Sequence, residues 1–165
     1  MNILVTGCNG QLGNEFQKIA RFDIEHNWLF TDIDTLDICN EDSIKHFFTE
    51  NNVEICINCA AYTAVDKAED DENTAREINA FAVKKLANVC KSHNSLLIHI
   101  STDYVFDGSS VRPYLEDDKV SPNSIYGKTK AEGEQYIIKS GCSYIIVRTS
   151  WLYSSFGNNF VKTML

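Results

Sequence analysis

The sequence predicts an α/β domain built on a doubly wound parallel sheet, and three observations carry that prediction. Short β-branched apolar runs alternate with amphipathic helical patterns along the chain. The first run leads straight into a glycine-rich turn, Gly7-Cys8-Asn9-Gly10-Gln11-Leu12-Gly13, and then into a helix. No internal repeat, low-complexity tract or linker interrupts the 165 residues, a length that suits one domain with a sizeable core. Such alternation calls for right-handed crossovers and a sheet covered on both faces.

The first strand is Asn2 to Thr6, an apolar run suited to burial on both faces. In the turn that follows, Gly7 permits the tight strand-to-helix reversal and Gly10 lets a pyrophosphate approach the backbone. Gly13 lets the helix Asn14 to Arg21 pack close to the strand. Phosphate would rest on that helix N-terminus, where amide donors and the dipole favour negative charge. The plainer alternative is a tight turn with no ligand. A second strand, Asn27 to Asp32, closes on an acid about twenty residues past the glycines, where a carboxylate can accept both hydroxyls of an adenine ribose. No arginine follows to greet a 2′-phosphate, so these residues by themselves favour NAD(H). Asp37 and Ile38 either line an adenine or form an Asx turn before the helix Glu41 to Asn51.

Val53 to Asn58 reads as the third strand, and the small residues at its end, with Ala61, Tyr62 and Thr63, would let a cofactor pass close to the backbone. Glu69-Asp70-Asp71-Glu72 is read as a solvated acidic turn capping a long helix from Asn73 to Lys91, in preference to a metal site. Ser95 to Ile100 is the fourth strand, and Thr102 and Asp103 follow it. The connection from Asp107 to Pro122 is long for a compact domain and points to function or mobility. A helix opening near Ser124, a fifth strand from Ser143 to Val147 and a last helix from Asn158 to Leu165 complete the chain.

Tyr126 and Lys130 stand four apart on the helix after Ser124, so they share a face one turn from each other. A phenol is a poor proton donor to a ketone near neutral pH, and a fixed ammonium beside it favours the phenolate and pulls its pKa down. Alone, such a pair is commonly a half-buried tyrosine and a solvated lysine. Its convergence with the glycine turn, Asp32 and Thr102 at the carboxyl edge of the sheet makes a site the better reading.

A net charge of −8 without any run of Lys and Arg argues against a nucleic-acid or anionic-membrane surface. No apolar stretch is long enough to span a bilayer, and no signal segment precedes the first strand. The six cysteines follow no disulfide or metal spacing. In Cys56-Ile57-Asn58-Cys59 the two thiols, three apart on a strand, point to opposite faces. The expectation is a protein of the reducing cytoplasm.

These motifs together resemble the extended short-chain dehydrogenase/reductases, particularly members that reduce a 4-keto dTDP-sugar. The segments that carry the likeness are Gly7 to Gly13, NCAAYTAVDKAE (58–69), STDYVFDG (101–108), YGKTKAEGE (126–134), RTSWLY (148–153) and Gly157 to Leu165. The resemblance implies a Rossmann fold with Tyr126 as proton donor to the C4 ketone, Lys130 binding the nicotinamide ribose and lowering the Tyr126 pKa, and Thr102 on the carbonyl oxygen. It places Gly10, Gln11, Leu12, Asp32, Asp37, Ile38, Ala61, Tyr62 and Thr63 against the cofactor. Thr102, Asp103, Tyr126 and Trp151 fall at positions that hold the sugar nucleotide. NADPH is the usual cofactor of such proteins, with NADH also used, which tempers the lean toward NAD(H). Members can form homodimers with Mg²⁺ at the interface, and Glu15 matches one ligand position, although a plain helix-surface glutamate explains it as well. Family chains continue into a smaller C-terminal domain over the substrate. The resemblance therefore implies a dinucleotide-binding domain, residues 1–165, without that cap, able to bind cofactor but turning over substrate poorly or not at all. An NAD-dependent epimerase or dehydratase, or a non-catalytic regulatory subunit of the same fold, remain alternatives.

Overall fold

The structure is a computed structural model that describes all of residues 1–165. Five strands, β1 (Asn2–Thr6), β2 (Asn27–Thr31), β3 (Ile55–Asn58), β4 (Leu96–Thr102) and β5 (Ser143–Thr149), lie parallel in the order β2-β1-β3-β4-β5. The register sets Thr6 beside both Thr31 and Asn58, and Thr102 beside Thr149, so the carboxyl ends of the strands share one edge. Chain direction across the sheet reverses between β1 and β3, and the crevice at such a reversal is where ligands of these folds bind.

The helices are α1 (Gln11–Ala20), α2 (Glu41–Asn51), α3 (Val65–Asp70), α4 (Glu72–Arg76), α5 (Ala82–His93), α6 (Ile125–Ser140) and α7 (Phe160–Met164). Apolar side chains of α2, α5 and α6 (Ile44, Phe48, Leu86 and Ile137) meet Leu4, Cys56 and Leu97 of the sheet in the main core. On the other face Phe16 of α1 packs on a smaller cluster with Val5, Trp28 and Ile57. Coverage of that second face is partial. Ile145 and Val147 of β5 are 48% and 41% exposed, because Ile146 between them takes the core side and no helix of residues 1–165 lies over them. The expectation of a sheet covered on both faces thus holds for its β2-β1-β3 half.

The helix expected from Asn73 to Lys91 is instead α4, a π-helical turn at Glu77–Phe81, and α5. A π turn inserts one extra residue per turn and commonly marks a functional position. Here it swings the buried Asn79 toward the sheet edge. The Asn79 amide accepts from the Tyr62 backbone N–H at 2.9 Å and donates to the Tyr62 carbonyl at 3.0 Å and to Thr129 Oγ1 at 3.2 Å. A side chain at Gly133 of α6 would collide with the Asn79 carbonyl, so the helices meet backbone to backbone there. The acidic segment is also more than a solvated turn. Asp71 caps α4 through Thr74 N, and Glu69 accepts the Ile125 N–H at 2.8 Å at the start of α6.

All six cysteines are free, and Cys56 and Cys59 pack into clusters on opposite faces of the sheet. No helix is long and apolar enough to cross a membrane.

Candidate active site

A groove of about 970 Å³ runs along the carboxyl edge of the sheet. The β1–α1 turn enters it through Gly7, Gly10, Gln11 and Leu12, and β2 and the loop beyond it through Asp32, Asp37 and Ile38. Ala61 and Thr63 line it after β3, Thr102 and Asp103 after β4, Tyr126 and Lys130 from α6, and Trp151 after β5. Three predicted residues lie elsewhere. Gly13 faces the strand-to-helix turn, Tyr62 packs with Ala68, Ala75 and Tyr126, and Glu15 of α1 is half-buried against Ser154 and Lys18.

The turn has the geometry its glycines predict. Gly7 adopts φ +66°, and a Cβ on it would come within 2.7 Å of Ala60 N, which seals the crevice between β1 and β3. A Cβ on Gly13 would come within 2.5 Å of both the Gly7 carbonyl and Cys8 Cα. Asp32 closes the turn, accepting from Asn9 N and Ile33 N at 2.9 Å each. Asp37 accepts from Cys39 N at 2.8 Å, the Asx turn considered above, while still bordering the groove.

Ser124 caps α6 by accepting the Gly127 N–H at 3.0 Å, and this fixes Tyr126 and Lys130 on the first two turns. The Tyr126 ring is nearly buried, edge-on to Tyr104 at 5.7 Å between centroids. Burial raises its pKa, the Thr102 hydroxyl draws it partly back, and Asp103 pushes it up again. This corrects the expectation that Lys130 pulls the phenol down. The lysine Nζ is turned inward, donating to the Ile100 carbonyl at 2.7 Å and meeting His99 Nε2 at 3.2 Å. Lys130 itself is pushed down to about 8 by burial, against the opposing pull of Glu134.

Thr102 caps a short 3₁₀ turn, accepting from Tyr104 N, and its hydroxyl donates to Asp103 at 3.1 Å. Trp151 is half exposed and packs edge-on against Phe160 at 4.8 Å. The Glu15 carboxylate accepts from Ser154 and Lys18, which lower its pKa, and no group of three or more His, Cys, Asp or Glu is placed to hold a metal ion.

Sequence reasoning missed the layer beneath the groove. His99 and Asn58 are fully buried next to Lys130, and Glu134 is buried under Ser101 and Arg148. A signal was present: His99 is a lone polar residue in Leu-Leu-Ile-His-Ile, where a buried strand needs apolar side chains or a paired polar one.

A parallel sheet with a glycine turn at its reversal point, an acid closing the second strand and a Tyr–Lys pair beside the crevice define an α/β domain of the Rossmann-like class. The family model described as the RmlD substrate binding domain matches residues 1–165, and the chain belongs to that family. A dTDP-4-dehydrorhamnose reductase of Aggregatibacter actinomycetemcomitans is 42% identical over 163 residues, 99% of this chain and 55% of that protein. The crystal structure of a dTDP-4-dehydrorhamnose reductase from Clostridium acetobutylicum superimposes with a TM-score of 0.95 at 49% identity, covering 99% of this chain and 58% of that one. Another from Bacillus anthracis, in complex with NADP, gives 0.94 at 41% identity with the same coverages. The chain spans about half the length of the curated relatives it matches.

Proposed function

We propose that this chain supplies the cofactor-binding and proton-donating part of an NAD(P)H-dependent reductase that converts dTDP-4-dehydrorhamnose to dTDP-L-rhamnose. The observation that carries the reading is the convergence of Thr102, Tyr126 and Lys130 with the glycine turn on one groove. The names of the similar proteins supply the substrate.

The groove suits a dinucleotide on its own geometry. At Gly10 the space a Cβ would take is bounded only by the Gly7 carbonyl at 3.2 Å, which leaves the backbone open beside the α1 N-terminus. Lys130 has three N–H donors, and His99 and Ile100 account for two of them.

When bound, the reduced nicotinamide supplies hydride to C4 of the keto sugar. Lys130 holds the nicotinamide ribose with its remaining N–H. Tyr126, kept as a phenol through neutral pH by its burial, gives its proton to the oxygen on which charge develops. Thr102 bonds to that same oxygen, and donors aimed at a developing alkoxide are worth more than donors to the ground-state ketone. Asp103 and Trp151 hold the sugar nucleotide.

The test is a single-turnover reaction with protein in excess over dTDP-4-dehydrorhamnose, followed by loss of NADPH absorbance. Tyr126→Phe should slow the reaction by about 10²-fold or more, the scale of a general acid, with NADPH affinity unchanged. A wild type that binds no NADPH, or one that reacts at the same rate as the variant, overturns the reading.

A further inference from the structure

Four polar side chains from four separate elements form a buried file under the groove. Thr6 closes β1, Asn58 closes β3, His99 lies within β4, and Lys130 projects from α6; each is 2% exposed or less. Thr6 Oγ1 donates to Asn58 Oδ1 at 2.7 Å, and Asn58 Nδ2, whose position is interchangeable with Oδ1 by a half-turn of the amide, lies 3.0 Å from His99 Nδ1. His99 Nε2 is 3.2 Å from Lys130 Nζ. No buried side-chain nitrogen or oxygen in the protein lacks a partner, so the file is a closed network.

We infer that His99 is the positioning residue for Lys130: a neutral imidazole, protonated on Nδ1, that accepts the ammonium at Nε2, its tautomer fixed by Asn58 and Thr6. A neutral imidazole offers one donor and one acceptor, whereas an ammonium offers donors only. With Lys130 charged, Nε2 must accept, so Nδ1 carries the proton and needs an acceptor. The Asn58 amide supplies one when its oxygen faces the ring and its nitrogen faces Thr6 Oγ1, a half-turn that exchanges two atoms of the same shape. The opposite arrangement, with Asn58 nitrogen toward the ring, places the proton on Nε2 and requires an uncharged Lys130. The two tautomers of His99 therefore report two charge states of the lysine.

The surroundings keep the imidazole neutral. His99 has no exposed surface, and both its burial and the neighbouring Lys130 charge hold it well below the ordinary imidazole pKa. Glu134, one turn further along α6, faces Lys130 from the same helix, and Cys59 faces it from the end of β3. Glu134 is already engaged by Arg148 of β5 at 2.7 and 3.0 Å, which leaves His99 and the Ile100 carbonyl as the acceptors that touch the ammonium. Pinning two N–H bonds directs the third, and the use of that third bond for a ribose rests on the reductase reading above.

Nitrogen-15 NMR of the His99 ring in the 165-residue chain tests the assignment without any turnover. Well below the Lys130 midpoint of about 8, Nδ1 should give the shift of a protonated nitrogen and Nε2 that of an unprotonated one. A proton on Nε2 under those conditions overturns the inference. The Lys130 titration gives a second readout. In His99→Phe the ammonium loses an acceptor, so its midpoint should shift to lower pH, and His99→Gln, which restores a side-chain oxygen, should bring it back. An unchanged midpoint in a folded His99→Phe also overturns it; should that variant not fold, the wild-type tautomer decides. A correct tautomer with no dependence of turnover on Tyr126 would leave this inference standing and remove the reductase reading instead.

Discussion

Lys130 Nζ stands 3.2 Å from His99 Nε2 and 2.7 Å from the Ile100 carbonyl, sealed from solvent, so the one cation the groove offers is anchored from behind. Removing an ammonium from water disfavours its charged form, and burial is the largest cause of the depressed pKa of about 8. The fold accepts that cost where the amine meets the groove.

Stability should record this cost. The folded-state pKa of about 8 lies below the ordinary 10.5, so between those values the unfolded chain holds the extra proton and stability rises with pH. The cost is fully present below about pH 8 and gone above about 10.5. Urea unfolding across that window should show the wild type gaining on the order of 3 kcal/mol relative to Lys130→Met, which cannot titrate. Parallel curves for the two proteins would place the lysine in water instead.

The glycine turn should separate binding from folding. A Cβ at Gly10 meets only the Gly7 carbonyl, at 3.2 Å, whereas one at Gly13 would lie 2.5 Å from Gly7 O and Cys8 Cα. Gly10→Ala should weaken NADPH binding about tenfold or more with a nearly unchanged melting temperature, because the methyl stands where a pyrophosphate approaches. Gly13→Ala should lower both, with a stability loss of roughly 1–3 kcal/mol from forced overpacking. Fluorescence titration and thermal unfolding of the two variants check the contrast.

Asp32 sets the cofactor preference in this account. Its carboxylate is held at the groove by Asn9 N and Ile33 N, beside where a ribose 2′ position would lie. Asp32→Asn keeps an acceptor but removes the charge that opposes a 2′-phosphate. The NADPH-to-NADH affinity ratio should rise by about tenfold, equivalent to ~1.4 kcal/mol. Competitive binding of the two cofactors measures it, and an unchanged ratio would remove Asp32 from that contact.

What was legible in the sequence is what local rules decide. Gly7, Gly10 and Gly13 announce a strand-to-helix turn by spacing alone, and Ser124 two residues before Tyr126 marks a helix start. Placement at one sheet edge then follows from topology, which brings Thr102, Tyr126 and Lys130 to the same groove. What escaped depends on pairing across long separations. Nothing local in the sequence links Asn58, His99 and Lys130, or tells that Asn79 would widen a helix into a π turn to hold Tyr62. The effect of Lys130 on Tyr126 was misjudged for the same reason: helical spacing places the two on one face, but burial governs the phenol and the amine is turned to His99.

A crystal structure of this chain with NADPH tests the central claim most directly. The account predicts the pyrophosphate at Gly10 to Leu12, the nicotinamide ribose within hydrogen-bonding reach of Lys130 Nζ, and the nicotinamide ring facing the Tyr126 hydroxyl. A nicotinamide end lying away from Tyr126, with Lys130 making no bond to the ribose, would contradict it.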